Sequence, residues 1–255
     1  MEGSLRIGHR PGGLESRPGT VDLLCVTEGR PGTVDLLCVT ERCLAVEPGP
    51  DAYALLDESE RLRARRYHRV ADRARFVAAA GLVRRVAARL AGCAPHEIAL
   101  DRRCDSCGRP HGKPRLRDRS IEVSISHAGD HVAAAASAVG PVGVDVEQVG
   151  GVGDDRAGLL DLVCGPGERT VAETPLGFYR LWTDKEAVLK ATGDGLRVPM
   201  SEVVVAGPRS EPGWVTVEGS RHPLVLQTFT PGPGHVGSIA VLAPGPVHTR
   251  VEVRG

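Results

Sequence analysis

Two carboxylates in G-V-D-V-E, Asp145 and Glu147, are the sharpest chemical signal in the chain. Residues i and i+2 of a strand share a face, so a strand over Val142 to Val146 sets their oxygens side by side and turns Val144 and Val146 toward a core. Paired oxygen donors suit a hard cation such as Mg²⁺; an edge strand with a polar outer face reads the same way. Further on, L-W-T-D-K-E-A-V-L-K-A-T-G-D-G-L (181–196) puts Glu186 and Lys190 four apart on a helix, with Trp182 one turn earlier on the same face. A carboxylate above an ammonium suits a metal-bound phosphoryl group, although surface Glu–Lys pairs are common. Lysine is otherwise scarce: Lys113, Lys185 and Lys190 are the only lysines among 32 cationic side chains, so arginine supplies generic charge and each ammonium stands out. Lys113 lies in G-K-P-R-L (112–116), a turn where backbone and ammonium can both approach an anion. V-S-I-S-H (123–127) ends a strand on Ser126 and His127, placed for hydrogen bonds to phosphate. Taken singly, each of these two also reads as an ordinary turn or strand end. C-D-S-C-G-R-P-H (104–111) offers two thiols and an imidazole, but a closed structural zinc site takes four ligands and no second C-x-x-C exists. A tight turn, with no structural metal on Cys104 and Cys107, is expected there.

The elements that must position these residues follow from periodicity. Asp57 with Glu60 three residues on is an N-cap signature. Phe76, Ala80, Val83, Val86 or Ala87, and Leu90 then recur at helical spacing until Gly92, which predicts one long helical stretch. Its other face carries many arginines, Arg63 and Arg75 among them, most of which read as a solvated face. Short strands are expected over 98–100, 121–126, 132–138 and 142–146, a second helix over 176–192 stopping at Gly193, and strands over 203–205, 214–217, 224–229, 236–242 and 247–253. Strands, helix, strands, helix, strands is an α+β pattern with room for two similar lobes. The segment R-P-G-T-V-D-L-L-C-V-T-E occurs twice, at 17–28 and 30–41. Two copies do not make a solenoid. The second copy is expected to open the first strand, over 34–46, and the first to lie in a flexible leader, 1–29, that adds nothing to the core.

In this order, G-K-P, S-I-S-H, G-V-D-V-E and W-T-D-K-E-A-V-L-K-A-T-G-D-G-L resemble the motif series of the Sfp-type 4′-phosphopantetheinyl transferases, from about Asp57 through Leu196. The resemblance implies a pseudo-dimer of two similar α+β lobes (30–140 and 141–255), each a small antiparallel sheet with a long helix. Coenzyme A and Mg²⁺ would lie in the cleft between them. It implies metal binding by Asp145, Glu147 and Glu186, phosphate contact by Lys190, and coenzyme A contacts by Lys113, Ser126 and His127. Arg63 and Arg75 are further phosphate candidates; Phe76 departs from the polar residue that some members place there. The implied reaction is attack of a carrier-protein serine on the β-phosphorus of coenzyme A, releasing adenosine 3′,5′-bisphosphate. Glu186 is then the first choice of base, directly or through water. Fatty acid, polyketide or nonribosomal peptide synthesis would be served.

Bulk properties agree with such an enzyme. The 255 residues suffice for one large domain or two lobes, and the 32 acidic and 32 basic side chains cancel, which argues against nucleic acid or an anionic membrane as partner. No apolar run is long enough to span a bilayer and no secretory signal opens the chain. Seven cysteines, an odd number, read as reduced thiols. A cytoplasmic monomer acting on apo acyl or peptidyl carrier proteins is therefore expected. Two rivals are a non-catalytic coenzyme A binder, which would be expected to lack one of the acids or Lys190, and a zinc-dependent interaction module built on the cysteines.

Overall fold

The computed structural model describes residues 20–21, 34–104, 107–150, 156–206 and 213–254. It is a mixed α+β structure. One five-stranded sheet runs in the order β1 (Thr20–Val21), β12 (Thr249–Arg254), β2 (Leu36–Arg42), β6 (His131–Ser137), β5 (Glu122–Ala128). A second runs β7 (Val142–Gln148), β11 (His235–Val241), β10 (Ser220–Phe229), β9 (Gly213–Val217), β8 (Val203–Ala206). A small pair, β3 (Leu100–Asp101) with β4 (Arg115–Leu116), stands apart.

Each large sheet carries one long helix. Helix α2 (Val70–Ala91) packs on β6, β5 and β2, and α4 (Pro175–Thr192) packs on β7 and β11. Strand alternation divides the side chains between layers. On β2, Leu37 and Val39 face α2, whereas Leu36 and Cys38 face a central layer shared with Val144, Val146, Ile239 and Val241 of the second sheet. β6 is buried on both faces, which is why its centre, Ala133 to Ala136, is written in alanine. Val144 and Val146 thus point into the core, as their spacing predicts, and Gly143, Asp145 and Glu147 take the face toward α4.

Several sequence expectations are corrected. The long helical stretch divides: α1 (Glu58–Ala64) is opened by a capping box in which Asp57 accepts from the Glu60 N–H at 2.8 Å and Glu60 accepts from the Asp57 N–H at 3.1 Å. The chain then breaks over 65–69, folds Tyr67 back onto Phe76 with ring centroids 5.4 Å apart, and resumes as α2. The buried Arg84–Glu60 pair, 2.8 Å, fixes the two helices together. The strand expected over 98–100 shifts to Leu100–Asp101, because Pro95–Glu97 forms a 3₁₀ turn. An additional helix, α3 (Arg156–Val163), precedes α4.

The sheets are not purely antiparallel, since β12 pairs in parallel with β2 (Val251 opposite Cys38). It reaches β2 by crossing from the second sheet, so no hairpin dictates its direction. That crossing leaves one edge of β12 open, and Thr20–Val21 of the first repeat copy pairs antiparallel along it. The first copy thus supplies a two-residue edge strand, paired with β12 rather than with the second copy. The rest of the leader lies outside the described residues.

Candidate active site

The two sheets meet where β5 runs beside β7. Because β7 pairs its other edge with β11, the N–H groups of Val144 and Val146 point toward β5 and meet side chains rather than a backbone ladder. Val144 N–H donates to Ser124 Oγ at 3.0 Å and Val146 N–H to Ser126 Oγ at 3.3 Å. Ser126 in turn donates to Asp145 Oδ1 at 2.8 Å. The serines of V-S-I-S-H therefore stitch the seam as well as facing the site.

Above the seam lies α4. Thr174 caps it by accepting from the Gly177 N–H at 3.0 Å, Pro175 opens it, and Gly193 ends it in a left-handed conformation. The helix backbone lies directly over Gly143, where a Cβ would sit 1.8 Å from the Ala187 carbonyl oxygen. That close approach lowers Lys190 onto Asp145, its Nζ 2.5 Å from Oδ1, 3.2 Å from Ser126 Oγ and 3.2 Å from the Val144 carbonyl. All three ammonium donors are engaged within the protein.

These groups line a cavity of about 410 Å³. The lining includes Ser126, His127, Asp145, Glu147, Trp182, Glu186 and Lys190, with Arg63, Tyr67, Phe76 and Arg102. Asp145 is 3% exposed and its Oδ2 has no hydrogen-bond partner. Burial pushes the Glu147 carboxyl up to about 7, with Asp145 and Glu186 adding repulsion against the opposing pull of Lys190. The Trp182 indole N–H meets no acceptor in good geometry, yet lies near enough to Glu147 to favour its charged form. Burial also raises Glu186, opposed by Lys190 and reinforced by Asp145. Three desolvated acids against one ammonium, with a buried oxygen lacking any partner, suit a hard divalent cation. Their oxygens are not among the groups that already lie within 4.8 Å of one another, so the glutamates would have to turn inward around an ion.

Two family models match consecutive stretches of the chain: one described as 4′-phosphopantetheinyl transferase, N-terminal, over residues 50–139, and one as the 4′-phosphopantetheinyl transferase superfamily, over 141–235. The chain belongs to the 4′-phosphopantetheinyl transferase superfamily. Relatives include a Synechocystis sp. protein, 33% identical over 61% of this chain and 64% of its own length. HetI of Nostoc sp., a 4′-phosphopantetheinyl transferase, is 29% identical over 64% of this chain and 69% of its own. The 4′-phosphopantetheinyl transferase Sfp of Bacillus subtilis is 26% identical over 80% of this chain and 90% of its own. The chain thus spans about two thirds of the length of the first two relatives.

In this phosphopantetheinyl transferase relative, the structure gathers Asp145, Glu147, Glu186, Lys190, Ser126, His127 and Arg63 around one cavity. Arg63 places its guanidinium over the Phe76 ring, 5.2 Å from the centroid. His127 is exposed at its edge, but the cavity walls and Arg75 hold it below the usual imidazole range. Arg75 itself is not a lining residue: it pairs with Asp72 and donates to the Gly129 carbonyl at 2.6 Å. Lys113 is also outside the lining, its Nζ donating at 3.0 Å to the Ala191 carbonyl near the end of α4, where burial lowers its pKa.

Two features were missed by sequence reasoning. Arg102 lines the cavity with a buried Nε that meets no partner. Nothing marks it among 29 arginines except its place just after β3. Lys185, the lysine next to Glu186, is fully buried; it pairs with Glu168 and donates to the carbonyls of Val163 (2.8 Å) and Met200 (3.0 Å). It is a structural residue inside a catalytic-looking motif. The C-x-x-C turn brings Cys104, Cys107 and His111 within 4.8 Å of one another, Cys107 Sγ lying 2.9 Å from His111 Nε2, so the loop is a closer thiol–imidazole group than its spacing announced.

Proposed function

We propose that this protein transfers 4′-phosphopantetheine from coenzyme A to a serine of an acyl or peptidyl carrier protein and releases adenosine 3′,5′-bisphosphate. The observation that carries this reading is the buried Asp145–Lys190–Ser126 constellation at the seam, flanked by Glu147 and Glu186 whose carboxyls resist ionisation without a cation. In the proposal the two sheets with their helices are the halves of a pseudo-dimer, 30–140 and 141–255, and the cavity is part of the cleft between them. A cytoplasmic monomer fits the balanced charge, and among the described residues no helix is long and apolar enough to cross a membrane.

Asp145, Glu147 and Glu186 would hold Mg²⁺, which when bound neutralises pyrophosphate charge and orients its oxygens. Lys190 would turn a donor from Asp145 to the phosphate and stabilise negative charge growing toward the leaving group. Ser126 and His127 donate to the pyrophosphate, and Arg63 and Arg102 face the same anion. Glu186 accepts the proton of the carrier serine directly or through water. Lys113 and Arg75, held on backbone carbonyls, act at the rim of the coenzyme A site. A neighbouring cavity of about 740 Å³ shares Arg63, Tyr67, Phe76 and Arg102 and adds Arg66, Arg109 and Arg117, which suits the distant phosphate of the nucleotide.

The test is incubation with coenzyme A, Mg²⁺ and a panel of apo carrier proteins, followed by intact-mass measurement. A carrier gaining one phosphopantetheine, only when Mg²⁺ is free, is the expected product. Equal labelling in excess chelator, or no labelling of any carrier alongside tight coenzyme A binding, would overturn the reading; the second result would favour a non-catalytic binder.

A further inference from the structure

We propose that Asp130, His131 and His235 form a second metal site, for a zinc-class divalent ion, distinct from the acids of the cavity. Asp130 sits in the turn between β5 and β6, His131 begins β6, and His235 begins β11, so the group joins the first sheet to the second. Neither Asp130 nor either histidine lines the cavity.

The ligand atoms of the three residues lie within 4.8 Å of one another. Asp130 divides its carboxylate: Oδ2 accepts from Arg42 Nε at 2.7 Å, while Oδ1 faces His131 Nδ1 at 2.8 Å and His235 Nε2 at 3.8 Å. Both imidazole nitrogens are buried and neither makes a hydrogen bond of acceptable geometry, in residues only 6% and 9% exposed. The two rings lie 4.3 Å apart between centroids. Ligands held tetrahedrally at about 2.0–2.1 Å are separated from one another by about 3.3 Å. The two observed separations bracket that value.

The surroundings orient the ligand atoms toward one another. His235 directs Nδ1 at the Pro233 carbonyl, 3.0 Å away, and a ring donating there presents its Nε2 lone pair to the site, the orientation by which a backbone carbonyl supports a metal-bound imidazole. Arg42 on the far carboxylate oxygen orients Asp130 in the same supporting manner. Gly129 brings the turn close to these groups: a Cβ there would fall 2.7 Å from His235 Nε2 and 3.0 Å from Gln148 Oε1. The Gln148 amide oxygen or water then completes the coordination. Two imidazoles and one carboxylate select borderline ions over Mg²⁺, so this site and the oxygen-only cavity would take different metals.

An ion here would pin the β5–β6 turn, and with it the strand end carrying Ser126 and His127, to the start of β11. The experiment uses the full chain carrying Cys104→Ser and Cys107→Ser, which removes the competing thiolates. After chelator stripping it is titrated with Co²⁺, read by visible ligand-field bands, and with Zn²⁺ by calorimetry. One equivalent is expected, with a raised melting temperature. His235→Gln and Asp130→Asn should each weaken it at least ~100-fold, beyond the effect of losing a supporting group, whereas Asp145→Asn and Glu186→Gln should leave it unchanged. If the substitutions impair folding, X-ray absorption on the zinc-loaded protein decides, expecting two imidazoles and no sulfur. Absence of stoichiometric binding, binding that survives His235→Gln, or binding lost in Glu186→Gln would overturn the site. None of these outcomes depends on carrier labelling, so it fails or stands separately from the proposed transfer activity.

Discussion

The three lysines of an arginine-rich chain have three different fates, and only their surroundings tell them apart. Lys190 meets Asp145 and Ser126 in the cavity, Lys185 is sealed under α4 with Glu168, and Lys113 holds the end of α4 by a carbonyl. Strand and helix spacing made the acids and Lys190 legible, because those periods fix which residues share a face. Spacing says nothing about whether an ammonium is paired inside or aimed at a ligand, and so Lys185 and Arg102 escaped. The distinction is measurable. Asp145→Ala and Glu186→Gln should reduce carrier labelling by about 10²–10³, the usual cost of one preorganised electrostatic contact, while coenzyme A still binds, more weakly, by calorimetry. Lys185→Met should do the reverse: it strands Glu168 and lowers stability by about 3–5 kcal/mol, with turnover per folded molecule retained. Near-normal labelling by Glu186→Gln would remove that residue from the chemistry.

At the scale of elements, boundaries set by local chemistry were legible and those set by distant contacts were not. The Asp57–Glu60 cap, the Gly92 and Gly193 stops, and the strand carrying Asp145 all stand where the sequence puts them. The break between α1 and α2, and the crossing of β12 to β2, depend on Tyr67 meeting Phe76 and on an open sheet edge, neither of which is a local pattern. Helix α4 is placed by a missing side chain. Gly143→Ala would press a Cβ into the helix backbone, and overpacking of this kind costs about 1–3 kcal/mol or more. Since α4 carries Glu186 and Lys190, the melting temperature and the rate of carrier labelling should fall together. The β12 anchor gives a pH dependence. Hydrogen bonds from Arg89, joined by Arg254 and opposed by partial burial, hold Glu252 down to about 2, below its ordinary 4.5. A depressed carboxylate stabilises the fold above its unfolded pKa and loses that contribution as pH falls from about 4.5 toward about 2. Glu252→Gln should therefore melt lower than the parent at pH 7, by about 1 kcal/mol or less because the pair is partly solvated. The gap should close in acid; a gap independent of pH would show that packing, not charge, anchors the strand.

For the whole molecule, the decisive feature is that the cavity belongs to neither sheet alone. Arg63, Tyr67, Ser126 and His127 come from elements of the first, and Asp145, Glu147, Glu186 and Lys190 from the second, so the site exists only while β5 stays beside β7. That seam has no backbone ladder: the N–H groups of Val144 and Val146 are satisfied by two serine hydroxyls, and Ser126 also serves the site. Ser124 is the member of the pair that touches none of the chemistry, is 3% exposed, and accepts from Val144 at 3.0 Å. Replacing it with alanine leaves a buried donor unmet, at a cost of about 1–3 kcal/mol. A local defect would lower stability and leave ligand binding alone. A seam that aligns two halves of one site should do more: Ser124→Ala should lower the melting temperature and also weaken coenzyme A binding, while Ser124→Thr, which keeps the hydroxyl, restores affinity better than it restores stability because its added methyl must fit a packed layer. Denaturant melts read beside coenzyme A calorimetry separate the two effects. Unchanged affinity in Ser124→Ala, at temperatures where it is fully folded, would show that the halves are aligned by their apolar layer alone.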